Sequence, residues 1–250
     1  MAAAAKAPQD AGNADAGGCR RVAGSGKPLG ELGVKRACGV AEAIALIPDG
    51  ATVMIGGFMG VGTPERLVDG LVAAGRAGLT VIGNDTARPG VGIGKLIDAR
   101  RCARVIVSHI GTNPETQRQM IAGELAVELV PQGTLAERVR AAGFGLGGVL
   151  TPTGLGTLAA EGKPTLDVDG RTFLVEKPLR AEFALIMAKE ADYNANLNYT
   201  LTSYNFNPLM AMAADVVIAE AETIVPVGVI TPDDVDTPGI LVDYLVGRPV

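Results

Sequence analysis

The chain has 250 residues, 48% of them apolar and 20% charged, enough to bury a sizeable α/β core. Its net charge of −5, with acidic residues scattered along the chain, leaves no basic footprint for a phosphate backbone and argues against nucleic acid as a partner. No apolar run approaches the ~18 residues of a membrane span, and three cysteines with one histidine make neither a paired framework nor a zinc cluster, as in a reducing cytosol.

Residues 1–30 are small and polar without periodicity, and read as a disordered low-complexity tail that lacks the apolar core of a secretory signal. From residue 31 to 250 the chain reads as one domain. Residues 34–47 carry Val40, Ile44 and Ile47 at helical spacing and stop at Pro48-Asp49-Gly50, a turn. Residues 52–58 form a β-branched apolar run expected to be a buried strand. Thr63 is placed to cap the next helix, with Pro64 at its first position and Leu67, Val68, Leu71 and Val72 on one face.

The cycle then repeats, with strands expected at 79–84, 105–110 and 125–131 and helices at 92–99, 114–122 and 134–142. Strands alternating with short helices predict an open, mostly parallel sheet flanked by helices. Glycine and threonine dominate 143–156, and 165–179 reads as a small β-rich elaboration with an Asp169-Gly170 turn. Strands resume at 183–187 and 216–218.

The densest motif follows the first strand, where Gly56, Gly57, Gly60 and Gly62 run into a helix start. A loop so poor in Cβ atoms brings backbone N–H groups close to a bound anion or carbonyl. It is not a P-loop, because Thr63-Pro64 stands where Lys-Ser/Thr would grip a phosphate. Gly143, Gly145 and Gly148 match a dinucleotide fingerprint only formally, since they follow a helix instead of a strand. Asn84-Asp85-Thr86 closes the second strand, and strand ends of such sheets gather ligands. Asn84 fits two roles equally well at this point: plain turn chemistry, or an amide N–H for a developing oxyanion.

His109 reads as a structural or surface residue, because Ser108 beside it on a strand points to the opposite face. None of Ser25, Ser108 and Ser203 sits in a nucleophile elbow. No pair of carboxylates is marked out by spacing. The residues alone thus describe a preorganised cradle without nucleophile, base, metal site or hydride cofactor. Taken alone, that describes a binding protein or half of an enzyme.

The run Asp49-Gly50, Val53-Met54-Ile55-Gly56-Gly57-Phe58 and Gly62-x-Pro64 resembles the α-subunit signature of family I CoA-transferases. Similar blocks continue through Gly83-Asn84-Asp85-Thr86, Pro131-Gln132-Gly133-Thr134, Asn205-Phe206-Asn207-Pro208 and Thr237-Pro238-Gly239. The resemblance is to acetate/acetoacetate and butyrate–acetoacetate enzymes and their 3-oxoacid relatives. It implies an open α/β fold like that of ribose-5-phosphate isomerase, and a cytoplasmic enzyme moving CoA between short-chain acids. The implied reaction is ping-pong, with a glutamate nucleophile on a β subunit in a Glu-Asn-Gly motif. None of the thirteen glutamates here precedes asparagine.

By position, the resemblance assigns CoA binding to Gly56, Gly57, Phe58, Met59, Gly60, Val61 and Gly62, and oxyanion stabilisation to Asn84. It implies a β-subunit partner and CoA thioester as substrate, with no bound cofactor or metal; the alternative on the same fold is a non-catalytic module sensing CoA or a sugar phosphate. Ser203-Tyr204 departs from the Ala-Arg frequent in the family, and the Asn-rich stretch 192–199 from its usual Gly-Asn turn. Acyl preference therefore follows less directly than reaction class.

Overall fold

The computed structural model describes residues 37–247, and the tail expected over 1–30 lies outside them. The elements run α1 (Val40–Ala45), β1 (Thr52–Ile55), α2 (Glu65–Ala73), β2 (Leu79–Ile82), α3 (Ile93–Asp98), β3 (Cys102–Val107), α4 (Pro114–Ile121), β4 (Ala126–Leu129) and α5 (Gln132–Gly143). There follow β5 (Val149–Thr151), β6 (Thr165–Val168), β7 (Arg171–Glu176), β8 (Ala181–Asp192), β9 (Leu197–Asn198), α6 (Asn207–Ala213), β10 (Ala214–Val225) and β11 (Tyr244–Val246). The larger sheet has the order β11-β10-β8-β1-β2-β3-β4, with β9 added antiparallel to β8. All other neighbours in it are parallel, as expected from the alternating pattern.

Both faces of this sheet are buried, and the two-residue period of the strands divides the core between them. Val53, Ile55, Val81, Val105, Val107 and Leu185 face α1, α2 and α3. Met54, Ile82, Ile106, Ala184 and Ile186 face α5 and α6. Each fully buried side chain of this size contributes about 1.5–3 kcal/mol.

The strand order reverses between β1 and β8. From β1 the chain steps outward to β4, and it returns through the small sheet to place β8, β10 and β11 on the other side. The helix after β1 packs on one face and the helix after β8 on the opposite face, which opens a crevice at their shared carboxyl ends.

Several boundaries differ from expectation. Strands β8 and β10 are longer than 183–187 and 216–218, because charged residues that interrupt the apolar pattern find partners in place. Lys189 Nζ lies 2.6 Å from Glu222, and buried Glu220 pairs with Arg66 Nε at 3.0 Å. Thr63 does not cap α2. Pro64 holds the cap position, and Glu220 Oε2 accepts the Leu67 N–H at 3.0 Å instead. Cys102 is a buried free thiol whose pKa burial pushes up to about 12.

The β-rich elaboration is a separate antiparallel sheet, β5-β7-β6. Asp169 and Gly170 both take positive φ at the hairpin turn (51° and 74°), the pairing that right-twisted strands favour. Buried Glu176 at the end of β7 receives Lys163 Nζ at 2.6 Å and lies 3.9 Å from Arg138 of α5. Among the described residues no helix is long and apolar enough to cross a membrane.

Candidate active site at the carboxyl ends of the parallel strands

The four strands β1 to β4 end side by side, and the residues that follow them form one polar row. Asn84, two residues beyond β2, is 1% exposed. Its Nδ2 donates to the Gly57 carbonyl beyond β1 at 2.8 Å, and its Oδ1 accepts from Gln132 Nε2 beyond β4 at 2.6 Å. The Ser108 hydroxyl, just past β3, lies between the Asn84 carbonyl (2.7 Å) and the Gln132 side-chain oxygen. The amide of Asn84 is thereby held in one orientation. One of its two Nδ2 hydrogens is spent on Gly57, and the other has no acceptor among the described residues.

The glycine loop is a tight finger. Phe58 and Val61 exchange backbone hydrogen bonds, each 2.9 Å, across a turn in which Met59 (φ 54°) and Gly60 (φ 91°) are both left-handed. The Gly56 N–H goes to the Leu185 carbonyl (2.9 Å), and the Gly57 N–H to Asn205 Oδ1 (3.1 Å). The Met59 N–H goes to buried Asp85 Oδ2 (3.0 Å). The cradle is therefore narrower than four glycines imply: Gly60 and Gly62 alone in the loop keep N–H groups without an acceptor among the described residues.

The glycines chiefly admit protein atoms. A Cβ on Gly56 would stand 1.7 Å from Asn207 Oδ1, one on Gly57 1.9 Å from Thr63 Oγ1, and one on Gly60 2.4 Å from Val91 Cγ1. Outward, the finger presents Phe58 (48% exposed) and Val61 (50% exposed). A cavity of about 500 Å³ opens beside Gly60, Val61 and Gly62, walled opposite by Arg66, Met187 and Lys189.

The structure thus brings Asn84 and the loop from Gly56 to Gly62 together, joined by the Asn84–Gly57 bond. Sequence reasoning missed Gln132, Ser108, Asp85, Asn205 and Asn207. Position beyond a strand end could have flagged the first three, and Gln132, Asp85, Asn205 and Asn207 all stand in blocks that carry the family resemblance. His109 is exposed, as its surface reading held, and no group of three metal-ligating side chains occurs among the described residues.

Residues 39–248 match the family described as Coenzyme A transferase. The chain is 54% identical over 205 residues to the acetate CoA-transferase subunit alpha of Escherichia coli K12, covering 82% of this chain and 93% of that one. It is 50% identical over 201 residues to the acetoacetyl-CoA:acetate/butyrate CoA transferase alpha subunit of Clostridium acetobutylicum, covering 80% and 92%. Among solved structures it resembles an acyl-CoA transferase from E. coli O157:H7, captured as a thioester complex with CoA, with a TM-score of 0.76 at 21% identity. That match covers 85% of this chain and 47% of the other, so the chain spans about half that transferase's length, and it speaks for the fold alone.

Proposed function

The chain belongs to the coenzyme A transferase family, and from that premise we propose that it is the α subunit of a heteromeric, cytoplasmic enzyme that moves CoA between a short-chain acyl-CoA and a carboxylic or 3-oxo acid. Acetyl-CoA with acetoacetate is the pair to try first. The observation that carries the reading is the near full-length match to α subunits of two-subunit transferases, covering 93% and 92% of their chains. The polar row at the strand ends supports a residue-level version of it.

In that version a glutamate of the β subunit attacks the thioester carbonyl, and the carbonyl oxygen becomes an oxyanion. The free Nδ2–H of Asn84 donates to that oxygen, a contact stronger in the transition state than in the ground state. Collapse breaks the C–S bond, giving an acyl-glutamyl anhydride and CoA thiolate. The thiolate attacks the glutamyl carbonyl, releases the first carboxylate and leaves a glutamyl-CoA thioester. The second acid then takes the CoA by the same steps in reverse. The loop from Gly56 to Gly62 supplies the wall against which the thioester lies, with the Gly60 and Gly62 amides as donors.

The test is to co-express the chain with a β subunit carrying Glu-Asn-Gly and assay acetoacetate against acetyl-CoA, butyryl-CoA and succinyl-CoA. The chain alone is expected to be inactive and the pair active. An assembled pair inactive toward every short acid sinks the reading.

A further inference from the structure

The glycine loop after β1 meets the segment after β8 at the point where the sheet's strand order reverses. Two asparagines make that junction. Asn205 Oδ1 accepts from the Gly57 N–H at 3.1 Å, 148 residues earlier in the chain, and from the Phe206 N–H at 2.6 Å. Its Nδ2 donates to the Val61 carbonyl at 3.2 Å, and to the Thr202 and Ser203 carbonyls at 3.0 and 3.2 Å. Asn207, fully buried at the start of α6, donates Nδ2 to the Gly62 carbonyl at 3.0 Å and to the Ser203 carbonyl at 2.8 Å. Its Oδ1 accepts from the Met187 N–H of β8 at 3.1 Å.

Each position must accept from a backbone N–H and donate to backbone carbonyls at once. A primary amide does both, a carboxylate lacks the donors and an aliphatic side chain lacks everything. The loop is shaped to receive them: a Cβ on Gly56 would collide with Asn207, and one on Gly62 would stand 2.9 Å from Asn205 Nδ2. Asn205 itself has left-handed backbone (φ 22°), a conformation that asparagine tolerates better than most residues.

We propose that Asn205 and Asn207 are positioning residues, a pair of amides that clamp the loop from Gly57 to Gly62 in the shape that receives the CoA thioester. They act through the loop backbone, and the functional half of the inference rests on the reading that this loop takes the thioester. Asn205 is the side chain to change, because it precedes α6 and is half-buried, whereas Asn207 lies within the helix and the core.

The assembled pair is compared as wild type, Asn205→Ala and Asn205→Asp, by hydrogen exchange of the peptide covering 56–62 and by kinetics with acyl-CoA varied. Exchange in that peptide is expected to rise while β1 and α2 stay protected, and KM for acyl-CoA to rise roughly tenfold with a smaller change in kcat. The Asp variant keeps an acceptor for Gly57 and remains readable if the Ala variant fails to assemble. Unchanged exchange in both variants overturns the clamp. Raised exchange with unchanged KM overturns its role in substrate binding. An inactive wild-type pair fails the parent reading instead, which the exchange data leave separate.

Discussion

Asn84 Nδ2 donates to the Gly57 carbonyl at 2.8 Å, so the amide assigned to oxyanion stabilisation also anchors the loop assigned to CoA. The two roles share one NH2 group, one hydrogen each. Asn84→Ala removes both, and kcat of the assembled enzyme is expected to fall by ~10²–10³-fold. Size-exclusion chromatography checks that the complex still forms. Unchanged turnover in an intact complex removes Asn84 from the mechanism.

Gln132 gives this amide its direction, since its Nε2 holds Asn84 Oδ1 at 2.6 Å. With Gln132→Leu the Asn84 amide is free to turn, and kcat should drop by roughly tenfold, the worth of one neutral hydrogen bond. Because Gln132 is exposed, thermal stability should stay within a degree or two of wild type by scanning fluorimetry. A loss of stability in proportion to the loss of rate would make Gln132 merely structural.

The parallel sheet was legible because its central strands are short β-branched runs, such as Thr52–Ile55, buried on both faces. Strands β8 and β10 were read too short, since a carboxylate like Glu220 looks like a break until Arg66, 154 residues away, is seen beside it. The glycine loop was legible as a place of close approach, but sequence cannot say what approaches. In the structure Asn207, Thr63 and Asn205 stand where side chains at Gly56, Gly57 and Gly62 would begin. Helix α6 was missed because Asn207-Pro208 opens it and its seven residues run straight into β10.

The glycines differ sharply in cost. At Gly57 (φ 118°) an added Cβ meets Thr63 Oγ1 at 1.9 Å, whereas at Gly50 (φ 76°) nothing lies within 4 Å. Gly57→Ala combines backbone strain with overpacking and should destabilise the chain by about 3 kcal/mol. Gly50→Ala carries the strain alone, about 1 kcal/mol. Urea unfolding of both variants checks the order, and equal midpoints would contradict the packing at Gly57.

Arg66 is the counterion that lets Glu220 be buried. It places Nε 3.0 Å from Glu220 Oε1 and gives its remaining nitrogens to the Gly247 and Ala221 carbonyls at 2.5 and 2.9 Å. Glu220 is 3% exposed and also accepts the Leu67 N–H. Arg66→Met strands that carboxylate, and stability should fall by about 3–5 kcal/mol. Adding Glu220→Gln removes the orphaned charge but keeps an acceptor for Leu67, and should recover part of the loss. If the double variant is no more stable than Arg66→Met, the damage is not electrostatic.

Glu128 on edge strand β4 supplies a pH dependence. Burial opposes its ionisation, but hydrogen bonds from Arg138 and Arg104 outweigh that and hold its pKa below the usual carboxylate range. The unfolded chain therefore takes up the Glu128 proton first on acidification. The stabilisation is fully present above the unfolded value of about 4.3, and it is lost as pH falls through the lower folded value. Glu128 is part-exposed at its bridges, with side-chain exposure of 30%, so the effect is a surface one of about 1 kcal/mol or less. Urea midpoints of wild type and Glu128→Gln should differ at pH 7 and converge as pH falls from 5 toward 3, with the gap narrower in high salt. A gap that widens on acidification would have the wrong sign for a carboxylate stabilised by two arginines.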